Sequence, residues 1–187
     1  MSKALFLLKC DMAAALDDCG IAAFPLQEAA TVTMDGAGAG ATCHARPIRQ
    51  AINAGMMPIL SGGPVFTATG TMHAFNSDRM GHALLASGQF TLERFIFFSD
   101  VPGVLDLHRK VIPVVTSANR VMVADLGFAA GVVDISGGMM EKVAIALDLA
   151  QRGVGSVICG TRGLDARRFE HLVAGTMVEG TQIPIAR

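Results

Sequence analysis

The chain has 187 residues, 15 basic and 16 acidic, for a net charge of −1, and 51% of its side chains are apolar. That length supports a single domain over residues 1–187 with a well-buried core, and no linker-like stretch divides it. The balanced charge lacks the footprint of a nucleic-acid binder, and no apolar run approaches the roughly 20 residues that a membrane-spanning helix needs, so the apolar excess is expected in a core or a subunit interface.

In chain order, residues 3–19 place Leu5, Leu8, Met12, Ala15, Leu16 and Cys19 near the helical period, and Gly20 stands where a helix end favours a left-handed residue. Lys9 and Asp11 interrupt the apolar start and no cleavage site follows, so this is a helix of the fold rather than a leader. The run 21–26 contains Pro25 and reads as an edge strand, and 31–34 as another. DGAGAGA (35–41) lacks the Lys-Ser/Thr ending of a phosphate loop and reads as a hairpin or a lid. Pro47 opens a helix that Gly55 closes, and the strand MMPIL (56–60) runs directly into Ser61-Gly62-Gly63. A strand entering glycines is where an α/β sheet bares its backbone to a ligand.

A small hairpin is expected around Gly70, flanked by 65–67 and 71–75. Asn76-Ser77-Asp78-Arg79 then heads an apolar helix over 80–86, where Asn76 or Ser77 can serve as the N-cap and Asp78 complements the helix dipole. RFIFFS (94–99) is an almost unbroken apolar run, which predicts a strand covered on both faces and ending in the turn Asp100-Val101-Pro102-Gly103. Mixed signals follow, with a strand at 111–115 and a weak helix at 117–126. The stretch VVDISGGMMEKVAIALDLAQR then gives a short strand, a Ser-Gly-Gly turn and a long helix carrying Lys142 in its first turns. Glycines that bare N–H groups at a helix start, beside a cation, describe a phosphate site, although the same residues also suit a plain helix start with Lys142 paired to a carboxylate. A strand at 154–159, a helix at 164–174 and a closing strand or tail at 177–185 complete the pattern. Strands alternating with helices at this spacing predict an α/β sandwich with a largely parallel sheet.

Other chemistry is not signalled. His44, His73, His82, His108 and His171 show no metal-binding spacing, and Cys10, Cys19, Cys43 and Cys159 form no C-x-x-C pair, which fits free thiols in a reducing, cytoplasmic compartment and no metal site. There is no G-x-S-x-G and no carboxylate dyad, which weakens hydrolase readings.

Four turns remain together: SGG (61–63), NSD (76–78), SDVPG (99–103) and DISGGMMEK (134–142). In that order, with GIAAFPLQ (20–27) and GTQI (180–183), they resemble the amino acid kinase superfamily, nearest its fosfomycin kinase and isopentenyl phosphate kinase branch, over about residues 10–183. The resemblance implies a three-layer αβα sandwich with a mostly parallel central sheet, and ATP-dependent phosphorylation of a small phosphate, phosphonate or carboxylate acceptor. It assigns Asp100 and Gly103 to the nucleotide pocket, and Gly137, Gly138 and Lys142 to the ATP phosphates. Asp78 would organise the catalytic lysines, Lys142 among them. Gly62, Gly63 and Ser77 would hold the acceptor. Mg²⁺ would bridge the ATP phosphates during in-line transfer.

The resemblance also marks departures. Family members begin with a strand carrying K-x-G-G-S and a GGG-x-x-GH loop, so the chain is expected to correspond to the last two thirds of the family fold. Gly63 replaces a common aspartate, and Pro102 replaces the second acidic residue of TDVDG. Loss of a charge-neutralising lysine costs on the order of 10²–10³ in rate, so a second expectation is a nucleotide-binding member that acts as a subunit or regulatory module without turnover. An incomplete sheet would need cover, which predicts a homo-oligomer or hetero-complex.

Overall fold

A computed structural model of the chain describes residues 2–36, 40–119, 138–176 and 180–186. They pack as two compact units, Met1–Thr91 and Leu92–Arg187.

The first unit opens with helix α1 (Ser2–Asp18), which closes where the spacing predicts, at Gly20 with φ 76°. There the Ile21 N–H donates to Leu16 O and the Gly20 N–H to Asp17 O, satisfying carbonyls that the helix end leaves over. The face turned inward differs from the expected one. Leu8 and Met12 are 54% and 47% exposed, whereas Lys9 is buried at 2%. The inward row is Leu5, Lys9, Ala13 and Leu16, residues three or four apart that share one side of a helix.

Strand β1 (Ala23–Pro25) lies parallel to β4 (Met57–Ile59), with Ala23 opposite Met57 and Pro25 opposite Ile59. A single-turn helix, α2 (Glu28–Thr31), follows β1 and was not foreseen from sequence. The segment 35–41 joins β2 (Val32–Met34) to β3 (Ala41–Cys43) as an antiparallel hairpin, the first of its two expected forms, although residues 37–39 lie outside the described ones. Helix α3 (Ala45–Asn53) begins two residues before Pro47, which still falls in the first turn, where the missing N–H breaks no helical bond. Strands β5 (Gly63–Phe66) and β6 (Met72–Phe75) form the predicted hairpin. A 3₁₀ turn, Ser77–Arg79, then leads into α4 (Met80–Ala86). Val32, Ile48, Val65, Phe75, Met80 and Ala83 form this unit's core.

In the second unit, β7 (Arg94–Ser99) and β8 (Gly155–Gly160) are parallel, and β9 (Thr181–Ile183) is antiparallel to β8. Helix α5 (Gly138–Gln151) buries Val143, Ile145, Ala146, Leu147, Leu149 and Ala150 and packs on β8. Helix α6 (Ala166–Ala174) is capped by the Asp165 side chain, which accepts from the Arg168 N–H at 2.8 Å, and ends at Gly175 with φ 74°. The expected strand at 111–115 is reduced to two bridges, Leu105 to Val111 and Val114 to Gln182. The predicted strand near Val133, Gly137 and residues 120–126 of the weak helix lie outside the described residues.

One sequence expectation needs correction. Strand β7 is not covered on both faces: Phe97 is 3% exposed but Phe98 is 39% exposed, its ring stacked on Phe169, itself 46% exposed. The described strands form four small sheets. The pairings β1–β4 and β7–β8 are parallel, while β2–β3, β5–β6 and β8–β9 are antiparallel. Short connections explain the β2–β3 and β5–β6 hairpins, because a parallel pair needs a crossover of a dozen or more residues. The result is a mixed α/β fold.

Candidate functional site

The acceptor residues suggested by the sequence come together in the first unit through strand register. In the β5–β6 hairpin Gly63 is opposite Phe75, so the entry to β5 lies against the exit of β6. This places the Ser61-Gly62-Gly63 turn beside Asn76-Ser77-Asp78. The approach is close: a Cβ on Gly62 would sit 2.6 Å from the Phe75 carbonyl oxygen and 2.8 Å from the Ser77 nitrogen, so only glycine fits. Gly63 has φ 140°, a conformation that side chains disfavour, and a Cβ there would lie 2.9 Å from Glu28 Oε1. Ser77 is exposed and Asp78 half-buried. Of the two candidate caps, Asn76 and Ser77, it is Asn76 that caps the turn, its Oδ1 accepting from the Asp78 N–H at 3.0 Å.

Beneath this turn is an ion pair that sequence reasoning missed. Lys9 Nζ lies 2.7 Å from Glu28 Oε2, with side chains 2% and 4% exposed. The same ammonium donates to Leu26 O at 2.8 Å, and the Ser61 hydroxyl donates to Glu28 Oε2 at 3.2 Å. Burial alone would raise the Glu28 pKa. Hydrogen bonds from Lys9, its own backbone and Ser61, with the Lys9 charge, outweigh burial and hold the carboxyl below its ordinary 4.5. The available signal was Lys9 itself, a cation four residues from Leu5 on a helix; nothing local pointed to Glu28.

The nucleotide residues suggested by the sequence lie in the second unit. Strands β7 and β8 are parallel and end in register at Ser99 and Gly160, so the Asp100 turn and the residues after β8 leave from the same edge. The Thr161 N–H donates to Ser99 O across that edge at 3.1 Å. Gly160 lets the turn approach, since a Cβ there would meet the Pro102 Cα at 3.1 Å. Gly103 is buried, with its missing Cβ 2.9 Å from Thr181 Oγ1 and 3.0 Å from Val111 Cγ1. Thr181 is fully buried; its hydroxyl accepts from the Val104 N–H at 2.8 Å and donates to Ile112 O at 2.8 Å, tying GTQI to the Asp100 turn. A cavity of about 780 Å³ opens at this edge, lined in part by Asp100, Pro102, Gly160 and Arg162. Asp100 itself is exposed.

Helix α5 begins at Gly138 with φ 64°, a conformation suited to glycine, and Lys142 stands half-buried one turn in. Gly137 lies outside the described residues. Among the described residues no group of three or more His, Cys, Asp or Glu side chains could hold a metal ion, and no helix is long and apolar enough to cross a membrane.

Parallel strands ending at a cleft, and a glycine-initiated helix with a cation one turn in, are arrangements at which α/β proteins can hold a ligand. Residues 5–160 match the model of the amino acid kinase family, and the chain belongs to that family. Among curated relatives, the acetylglutamate kinase of Granulibacter bethesdensis is 32% identical over 140 residues, covering 72% of this chain and 44% of the relative. That of Chloroflexus aurantiacus is 37% identical over 120 residues, covering 63% and 44%. The chain thus spans less than half the length of these relatives. In fold it is similar to isopentenyl phosphate kinase, with a TM-score of 0.69 at 24% identity over 94% of this chain and 64% of that one.

Proposed function

We propose that the chain acts as an ATP-dependent phosphotransferase on a small acidic acceptor, a carboxylate, phosphate or phosphonate. The family match over residues 5–160 carries this reading. The names of the curated relatives favour a carboxylate, as in acetylglutamate. We read residues 1–187 as one domain of the family's three-layer αβα architecture with a mostly parallel central sheet. A homo-oligomer or hetero-complex in the cytoplasm completes the proposal.

In the reaction an acceptor oxygen forms a bond to the γ-phosphorus as the bond to the ADP oxygen breaks, and the enzyme's part is positioning and charge. Gly62 and Gly63 form a close-packed turn against Ser77, whose exposed position leaves its hydroxyl able to orient the anionic acceptor. Asp100 and Gly103 shape the nucleotide pocket. Gly137, Gly138 and Lys142 hold phosphate oxygens, with Lys142 offsetting the charge that develops on them. Asp78 positions the lysine machinery. The glycine start of α5, the cation one turn in and the cleft at the β7–β8 edge fit a bound nucleotide. Mg²⁺ arriving with ATP would neutralise phosphate charge.

The test is calorimetric titration of MgATP into wild type and Lys142→Ala, with ³¹P NMR of transfer to acetylglutamate, isopentenyl phosphate and a simple phosphonate. The expected result is at least tenfold weaker ATP binding in the variant, the scale of one charge-assisted contact, and transfer to one acceptor by wild type. Equal ATP affinity removes the role of Lys142. ATP binding without transfer to any acceptor replaces this reading with a nucleotide-binding subunit.

A further inference from the structure

The Lys9–Glu28 pair is more than a stabilising contact, because of what it is attached to. A buried ion pair carries a desolvation penalty that an apolar pair would not, so its presence is weak evidence for a stability role. Its contacts converge on the two chain segments that flank the glycine turn. Lys9 Nζ holds Leu26 O, in the segment that follows β1, which is itself the parallel partner of β4. Glu28 Oε2 takes the Ser61 hydroxyl, in the first residue of the turn that leaves β4. Glu28 Oε1 lies 2.9 Å from where a Gly63 side chain would begin, under the turn's last residue. One carboxylate therefore bonds the first residue of a three-residue turn and fills the side-chain space of its last, and one ammonium fixes that carboxylate at 2.7 Å.

We propose that Lys9 and Glu28 are positioning residues for acceptor binding: through Ser61 they hold Ser61-Gly62-Gly63 against Ser77 in the geometry that receives the acceptor. This inference rests on the acceptor role proposed for Gly62, Gly63 and Ser77. The turn needs such a hold because its glycines have the widest conformational freedom in an unfolded or loosened chain. Gly62 touches Ser77 only through backbone, leaving no side chain of its own to lock the contact. Among the described residues the Ser61 hydroxyl is the side-chain link between the turn and the charged pair, and a hydrogen bond to a charged group is among the stronger single tethers available.

The experiment is a mutant cycle on Ser61→Ala and the paired change Lys9→Met with Glu28→Met. The paired change removes both buried charges together and so avoids leaving one uncompensated. Each variant and their combination is assayed for the Michaelis constants of acceptor and ATP, and for the amide chemical shifts of Gly62, Gly63 and Ser77. Ser61→Ala and the paired change are each expected to raise the acceptor constant about tenfold, from one lost charge-assisted bond, with the ATP constant unchanged. Because both act through one tether, the combination is expected to equal either alone. Ser61→Thr, which keeps the hydroxyl, restores the wild-type constant. Effects of Ser61→Ala that are undiminished in the paired background overturn the proposal, as does an acceptor constant that does not move. If wild type transfers phosphate to no acceptor, the function reading fails while the positioning claim is still decided by the amide shifts: coincident shifts in Ser61→Ala and the paired variant support it, and shifts unchanged from wild type overturn it.

Discussion

Replacing Lys9 with methionine removes the ammonium and leaves the Glu28 carboxylate facing its apolar surroundings. The two side chains are 2% and 4% exposed, so solvent screening gives no reason to discount the interaction. Breaking a buried pair by deleting one partner costs about 3–5 kcal/mol, because the survivor keeps its desolvation penalty without its counter-charge. Leu26 O also loses the donor that now lies 2.8 Å away. Against a total stability of about 5–15 kcal/mol this is a large fraction. The chain has no Trp and no Tyr, so urea unfolding is followed by far-ultraviolet circular dichroism. With a urea slope of about 1–3 kcal/mol/M, the midpoint of Lys9→Met is expected to fall by roughly 1–5 M. Adding Glu28→Met removes the stranded charge and is expected to return stability to within about 1 kcal/mol of wild type, since apolar replacement of a buried pair is often neutral or better. A Lys9→Met chain as stable as wild type, or a paired variant as weak as the single one, would refute the reasoning.

Three further outcomes follow from the same geometry. The Glu28 carboxyl is held below its ordinary 4.5, so its contribution is present above that value and lost as pH falls through its folded pKa; the stability gap between wild type and Lys9→Met should narrow in acid, measured by the same unfolding from pH 7 to pH 3. Gly62→Ala would drive a methyl against the Phe75 carbonyl and the Ser77 nitrogen, backbone atoms that cannot rotate away, and should cost about 1–3 kcal/mol in urea unfolding; an unchanged midpoint contradicts the close approach. Thr181→Val strands the buried Val104 N–H and Ile112 carbonyl and should cost about 1–3 kcal/mol while weakening ATP in calorimetry, whereas Thr181→Ser keeps both bonds and both properties.

Where structure depends on neighbours in the chain, the residues themselves were enough. Helix α4 spans the expected apolar run, Met80–Ala86, and the 3₁₀ turn that leads into it is capped by Asn76, which accepts from the Asp78 N–H two residues away in a local bond. The ends of α1, α3 and α6 follow from Gly20, Gly55 and Gly175, each at positive φ. Strand β7 spans the residues expected, but its cover does not, since a run of apolar side chains states a preference for burial and not what will arrive to provide it. The family was legible in four short turns, each weak alone, whose order and spacing are a one-dimensional property.

Other features needed the folded chain. The inward face of α1 was misjudged because an apolar count treats Lys9 as a solvent residue, while its long stem and a partner 19 residues on allow it to be buried. The meeting of Gly62 with Ser77 depends on the β5–β6 register, and that of Gly103 with Thr181 on the return of β9 beside residues 113–115. Amino-acid order thus decides caps, turns and helix ends, whose energies come from bonds between near neighbours. The buried charge under the Ser61-Gly62-Gly63 turn was decided by tertiary structure, because Lys9 and Glu28 acquire a low-dielectric environment, and hence a strong mutual interaction, only once packing removes water from both.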